Sequence, residues 1–334
     1  MRAKRRYVNR SESKPTCVGM LFLVATLMAL GACSPKQPVP PPPPASTPVV
    51  ATVGYGELPP EMVKFAEAIA RSRLAYINIV ADKQSDVAPW NSKLGGLAYL
   101  PKGQAYPTGP DGVPLALLAQ LNFSEMPALE GYPSQGILQF FIAGKNSSAH
   151  VYGMSQYDAS PYNQRDFFAS LSKQTWFRLV YHPQVLRERD KLQNPPASPD
   201  EMMPLMGTTR LRFQVDTEPV SISDYRFQRF LGQPAAKFFQ QFGEKEEAAA
   251  VNYMAFSSKD QLAKVGGYSS PVQEDPRKIQ PAEDWVVLLE LHHGREEGGY
   301  DMMWGDSGIG AFYIRPDDLR RLDFSKVVYY WDNH

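Results

Sequence analysis

Gly136-Ile137-Leu138-Gln139-Phe140-Phe141-Ile142 and Gly308-Ile309-Gly310-Ala311-Phe312-Tyr313-Ile314 are the stretches on which the fold turns. Each is a glycine followed by a short, mostly apolar run, the pattern of a strand entered from a turn. Upstream of the first stand Gly95-Gly96 and Leu117-Leu118-Ala119-Gln120-Leu121; upstream of the second stand Gly266-Gly267 and Leu288-Leu289-Glu290-Leu291. Gly96 precedes Gln120 by 24 residues and Gly267 precedes Glu290 by 23; the steps to the next glycine are 16 and 18. Two copies of one strand unit explain the match, and so does chance, since glycine beside strand residues is common. A true duplication predicts a pseudo-symmetric sheet with a cleft between its halves.

Other strands are expected at Leu115–Leu121, Trp176–Tyr181, Leu211–Val215, Trp285–Leu291 and Lys326–Trp331. Helices are expected from Pro59-Pro60 through Ala70, near Asp224–Leu231 and Ala235–Ala250, and briefly at Asp317–Leu322. Strands joined by loops more often than by helices indicate an α+β fold, a mostly antiparallel mixed sheet with a few helices, in two pseudo-repeated halves if the duplication holds. In the last strand, Val327, Tyr329 and Trp331 share one face and Val328 and Tyr330 the other, and both faces read as core.

The N-terminus carries an address. Arg2, Lys4, Arg5, Arg6, Arg10 and Lys14 precede an apolar run from Val18 to Leu30, shorter than the roughly 20 residues of a membrane span. Leu30-Gly31-Ala32-Cys33 then matches a lipobox. Residues 1–32 read as a lipoprotein signal peptide. Cys33 reads as the lipidation site, carrying diacylglycerol and palmitate. A start at Met20 would strip every positive charge from the signal. Cys17 leaves with the signal peptide, so the mature chain holds Cys33 alone and can form no internal disulfide. Residues 33–50 are a proline-rich linker, with eight prolines between Pro35 and Pro48. Extended as polyproline II at ~3.1 Å per residue, it reaches about 50 Å. Residues 57–334 form the globular domain. The expected location is the bacterial cell envelope, with the membrane as partner through Cys33. Ser34 at the next position favours the outer over the inner membrane.

The signal peptide holds 6 of the 35 basic residues and 1 of the 35 acidic ones, which leaves 29 against 34 in the mature chain, a net charge of −5. This excludes nucleic acid as the main partner. The five histidines are scattered, and the adjacent pair His292-His293 points to opposite faces of a strand, so no metal or cofactor is expected.

Segments in a fixed order resemble the YwqG-like family, bacterial proteins built on a domain of unknown function. They are Leu94-Gly95-Gly96 with Leu100-Pro101, Pro114-Leu115 leading into Leu118-Ala119-Gln120-Leu121-Asn122, and Gly136 to Phe141. Val265-Gly266-Gly267-Tyr268 with Gln273-Glu274-Asp275-Pro276-Arg277, Met303-Trp304-Gly305-Asp306-Ser307-Gly308, and Phe324-Ser325-Lys326-Val327 complete the set. The resemblance spans about Leu94 to Trp331. It implies mixed sheet and helix and brings no established reaction. The lipobox, the proline linker and the segment Val151–Pro204 depart from the family pattern.

Two polar clusters are candidate binding residues: Gln273, Asp275 and Arg277, which share a face if extended, and Asp301, Trp304 and Asp306. Arginine would supply bidentate hydrogen bonds and tryptophan a platform; the competing reading makes Arg277 an internal strut. Gly305-Asp306-Ser307-Gly308 resembles the nucleophile turn of a serine protease, but it continues Ile309-Gly310 and is expected to be a structural turn. No catalytic set stands out. The function indicated is a non-catalytic module binding an envelope protein or cell-wall component, in a toxin-neutralising or secretion-accessory role. The alternative is a carboxylate-dependent hydrolase with its site near Asp275 and Asp306.

Overall fold

Ten strands form one sheet in which every neighbouring pair runs antiparallel. The computed structural model describes residues 55–82, 86–155, 164–259, 261–280, 282–296 and 300–334. The signal peptide, Cys33 and the proline-rich linker lie outside them. The strands are β1 (Leu74–Asp82), β2 (Lys93–Leu94), β3 (Ala116–Asn122), β4 (Ile137–Ile142) and β5 (Phe177–His182), then β6 (Thr209–Glu218), β7 (Ala263–Gly266), β8 (Val286–His292), β9 (Ile309–Ile314) and β10 (Val328–Asp332). Their order across the sheet is β10-β9-β8-β7-β1-β6-β2-β3-β4-β5.

That order is a duplication. Each half contributes one long strand and then four more, and the two long strands, β1 and β6, pair at the centre. The halves exchange these first strands: β1 also pairs with β7 of the second half, and β6 with β2 of the first. The copies share fine detail. Gly95 and Gly96 have φ of 62° and 70°, Gly266 and Gly267 have 81° and 70°. A register shift falls between Leu117 and Ala119 in β3, and between Val287 and Leu289 in β8.

The sheet curls until equivalent positions of the two halves meet. Six strands lie between β4, which carries Phe140, and β9, which carries Phe312, yet their rings lie 4.9 Å apart. Phe177 of β5 lies 5.2 Å from Tyr329 of β10. The enclosed apolar core includes Leu121, Leu138, Ile142, Leu289, Leu291 and Ile314. Among the described residues no cleft divides the halves; the sheet is continuous through β1 and β6, and a cavity opens in each half.

Sequence periodicity finds β4 and β9 to the residue and seven of the ten strands in all. It misses β1, β2 and β7. No glycine or proline separates the apolar face ending at Ala70 from Leu74, so no turn signal marks where β1 begins. β2 is two residues long and has no period to read. The first helix is a 3-10 turn, Pro60–Phe65, running into a short α-helix, Ala66–Arg71; of its expected apolar face Met62 and Ile69 are buried and Ala66 and Ala70 exposed. The helix expected at Ala235–Ala250 breaks at Gly243 (φ 57°) into Ala235–Phe239, a 3-10 turn, and Glu246–Ser257. In β10 the two faces enter different clusters: Val327 and Tyr329 pack in the enclosed core, Val328 and Tyr330 in another beside Trp285 and Ile309.

Gly267 tests the architecture. A Cβ there would overlap Glu218 Oε1, while one at Gly112 (φ 77°) would meet open space. Gly112→Ala should cost only the left-handed strain, about 1–2 kcal/mol. Gly267→Ala should cost about 3 kcal/mol or more, because it also pushes a buried carboxylate off its lysine. Urea midpoints of the two variants decide this.

Candidate functional site

Asp275 and Arg277 meet at a 3-10 turn, Pro276–Ile279, which Asp275 caps. Asp275 accepts the backbone N–H groups of Arg277 (3.0 Å) and Tyr225 (2.9 Å). Arg277 Nε and Nη2 donate to its two carboxylate oxygens at 2.9 and 2.7 Å. Arg277 Nη2 also donates to Asp224 (2.8 Å), and Nη1 to the Trp285 carbonyl (3.3 Å). The guanidinium is 0% exposed and lies between the rings of Tyr225 and Tyr313, 4.7 and 4.4 Å from their centroids. Asp224 is further bound by Arg226 Nε and Nη2 and by the Ser269 N–H. Burial opposes its ionisation, but Arg226 and Arg277 outweigh burial and hold its carboxyl well below the usual range.

Ser269 links this cluster to a second one. Its hydroxyl donates to Glu290 and bonds the Tyr313 hydroxyl at 2.7 Å. Glu290 also meets Lys264 (3.7 Å) and His292 Nε2 (3.0 Å), and Lys264 Nζ reaches both oxygens of Glu218 at 3.1 and 3.2 Å. Burial raises the Glu290 carboxyl, but Lys264 and His292 overcome this and leave it at about 2. A continuous chain of buried charge thus runs from Lys264 through Glu290, Ser269 and Asp224 to Arg277 and Asp275. It pins β7, β8 and the loops at 224 and 275 together.

The other candidates lie elsewhere. Gln273 is exposed; its N–H donates to Asp332 (2.9 Å) and its side chain to the Asn333 carbonyl (2.8 Å). Asp306 is exposed, and its carbonyl accepts from the His334 N–H at 3.2 Å. Both therefore clamp the segment 332–334. Asp301, in the strand Tyr300–Met302, pairs with Arg295. Trp304 is 0% exposed, lies against Gly310 and meets Tyr152 edge-on at 5.8 Å; its Nε1 has no partner. Ser307 (φ 58°) sits in the turn with no hydrogen bond to a histidine ring among the described residues. The six candidates thus sort into a buried strut (Asp275, Arg277), a tail clamp (Gln273, Asp306), a surface pair (Asp301) and a core plug (Trp304).

Beside the strut opens a cavity of about 850 Å³. Phe227, Phe239 and Ala250 line its interior, and Glu244, Glu246, Glu247 and Glu274 its mouth. Of these, Glu274 is paired with Lys278. Sequence reading takes this segment for helix and passes over the run of glutamates at 244–247, the one local signal of the rim. Asp224, the missed member of the strut, is 53 residues from Arg277. Among the described residues, no group of three or more His, Cys, Asp or Glu is placed to hold a metal ion, and no helix is long and apolar enough to cross a membrane.

A family model described as Domain of unknown function (DUF1963) matches residues 92–333. No curated protein matches the chain.

Two measurements test the buried chain. Arg277→Met leaves Asp224 and Asp275 without their shared cation and should cost about 3–5 kcal/mol in urea denaturation. Glu290 has its folded pKa lowered from 4.5 to about 2. Its contribution is therefore complete above pH 4.5 and is lost as pH falls toward 2. Wild type should weaken steeply over that window, and Glu290→Gln should flatten the slope of stability against pH.

Proposed function

We propose, for a chain that belongs to the family described as Domain of unknown function (DUF1963), a lipid-anchored module of the bacterial envelope that binds a protein or cell-wall component without transforming it. In this reading residues 1–32 are a lipoprotein signal peptide, Cys33 carries the lipid, residues 33–50 are the linker, and residues 57–334 are a YwqG-like domain, standing at the outer membrane. The cavity beside the strut is its binding site. The observation that carries the reading is the engagement of Asp275 and Arg277 with each other and with Asp224, which leaves neither carboxylate oxygen of Asp275 open to a substrate. A carboxylate-dependent hydrolase near Asp275 and Asp306 is the weaker reading, because Asp275 is engaged in this way and Asp306 lies apart from it, exposed beside the segment 332–334. An interior of Phe227, Phe239 and Ala250 beside the internally paired Asp224 and Asp275, with a glutamate-rich mouth, favours a cationic, amphipathic segment, whose apolar side chains would enter while its ammonium groups meet Glu244, Glu246 and Glu247.

Two experiments separate the parts of this reading. Labelling cells with an alkyne fatty acid should tag the wild-type chain and not Cys33→Ala, which should leave the membrane fraction; tagging of the variant would refute the anchor. Titration of the purified chain with a synthetic Lys/Leu amphipathic peptide, and with its Glu/Leu counterpart, tests the cavity. The cationic peptide should bind, and the triple variant Glu244→Gln, Glu246→Gln, Glu247→Gln should weaken it about tenfold at low salt. Equal binding of both peptides would refute the cavity assignment.

A further inference from the structure

The duplicated sheet allows each half to serve as the control for the other. Lys93 and Lys264 are equivalent: each precedes a Gly-Gly pair by two residues and faces, on the next strand, Gln120 or Glu290. The surroundings match in detail. Gln120 Oε1 accepts the Tyr99 N–H at 2.9 Å, and Glu290 accepts the Ser270 N–H at 3.3 Å, each donor three residues beyond the second glycine. Next to Gly267 lies the carboxylate of Glu218; next to Gly96 lies the hydroxyl of Thr208, an exposed residue.

The lysines are both buried, at 3% and 1% exposure, but only one is neutralised. Lys264 has two carboxylates, Glu218 and Glu290. In the first half the residue facing the lysine is the neutral Gln120, and the residue beside the second glycine is the neutral Thr208. Lys93 Nζ donates to one backbone carbonyl, that of Pro89, at 3.2 Å. Glu125, whose charge acts on Lys93, is held by Asn91 Nδ2 (2.6 Å) and the Ser92 N–H (2.7 Å). Burial lowers the Lys93 ammonium to about 8, with Glu125 offsetting only part of it. A buried ammonium lacking its counter-charge is costly unless something supplies one.

Lys93 lines a cavity of about 460 Å³, together with Thr208, Asn194, Arg189 and the apolar Leu97 and Leu100. We propose that this cavity binds a small organic carboxylate, which supplies Lys93 with the counter-charge that Glu218 and Glu290 supply to Lys264, with an apolar body against Leu97 and Leu100. The site is separate from the glutamate-rimmed cavity, and neither assignment depends on the other.

Thermal unfolding of the full chain, with hexanoate as probe and hexylammonium as control at equal ionic strength, tests this. Hexanoate at tenfold excess over its Kd should raise Tm by about 3 °C, and hexylammonium should not. Lys93→Met, which removes the charge and keeps the length, should abolish the shift. Thr208→Glu, at an exposed position, should supply the missing carboxylate internally and also abolish it. Absence of a hexanoate shift in wild type would overturn the proposal, as would a shift of equal size in Lys93→Met. Calorimetric titration of hexanoate into both variants gives a readout independent of their own stability: retention of wild-type affinity by either would also overturn it.

Discussion

The antiparallel pairing of β1 with β6 is the constraint on which the rest of this molecule depends. Nine register pairs, from Leu74↔Glu218 to Asp82↔Arg210, join the first strand of one half to the first strand of the other. Because each of these strands also carries the remainder of the opposite half, neither half has a complete sheet without its partner. The exchange turns two similar units into one continuous sheet. It also lets the sheet curl far enough for Phe140 and Phe312, equivalent residues, to touch inside it.

The same pairing delivers charge to the interior. β6 ends at Glu218, beside Gly267 and within reach of Lys264 on β7. Removing these groups from water is expensive, and the geometry compensates with several hydrogen bonds per charged group. Lys264, Glu290, Asp224, Arg277 and Asp275 form one connected system, so the loops at 224 and 275 are tied to the central strands rather than draped over them. The first half keeps the backbone scaffold of this system and faces its lysine with the neutral Gln120, and that lysine borders a cavity.

Much of the frame is legible along the chain. Short apolar runs after glycine mark β4 and β9 to the residue, and the paired Gly-Gly signals suggest the duplication. Local spacing carries this information because strand alternation and left-handed glycine are properties of neighbouring residues. The candidate site is less legible. Asp275 and Arg277 are close in sequence and close in space, so their association is readable, but their direction is not: a short polar turn looks the same whether it faces solvent or a buried aspartate 53 residues away. Trp304 has the composition of a binding platform and the position of a core residue, because Gly310 leaves room for its indole.

The sequence by itself determined the α+β class, most strands and the residues from which the charged clusters are made, and it suggested the doubled unit that the sheet topology establishes. It is also the sole basis for the export and lipidation reading, which lies outside the described residues. Only the tertiary structure decided which halves exchange strands, which carboxylates are struts, and which of two equivalent lysines lacks a counter-ion. The physical reason is that periodicity is a short-range property of the chain, while desolvation and Coulomb energy depend on what folding brings within a few ångströms. Lys93 and Lys264 stand in near-identical local sequences, Lys-Leu-Gly-Gly and Lys-Val-Gly-Gly, and differ in the side chains that distant strands place around them.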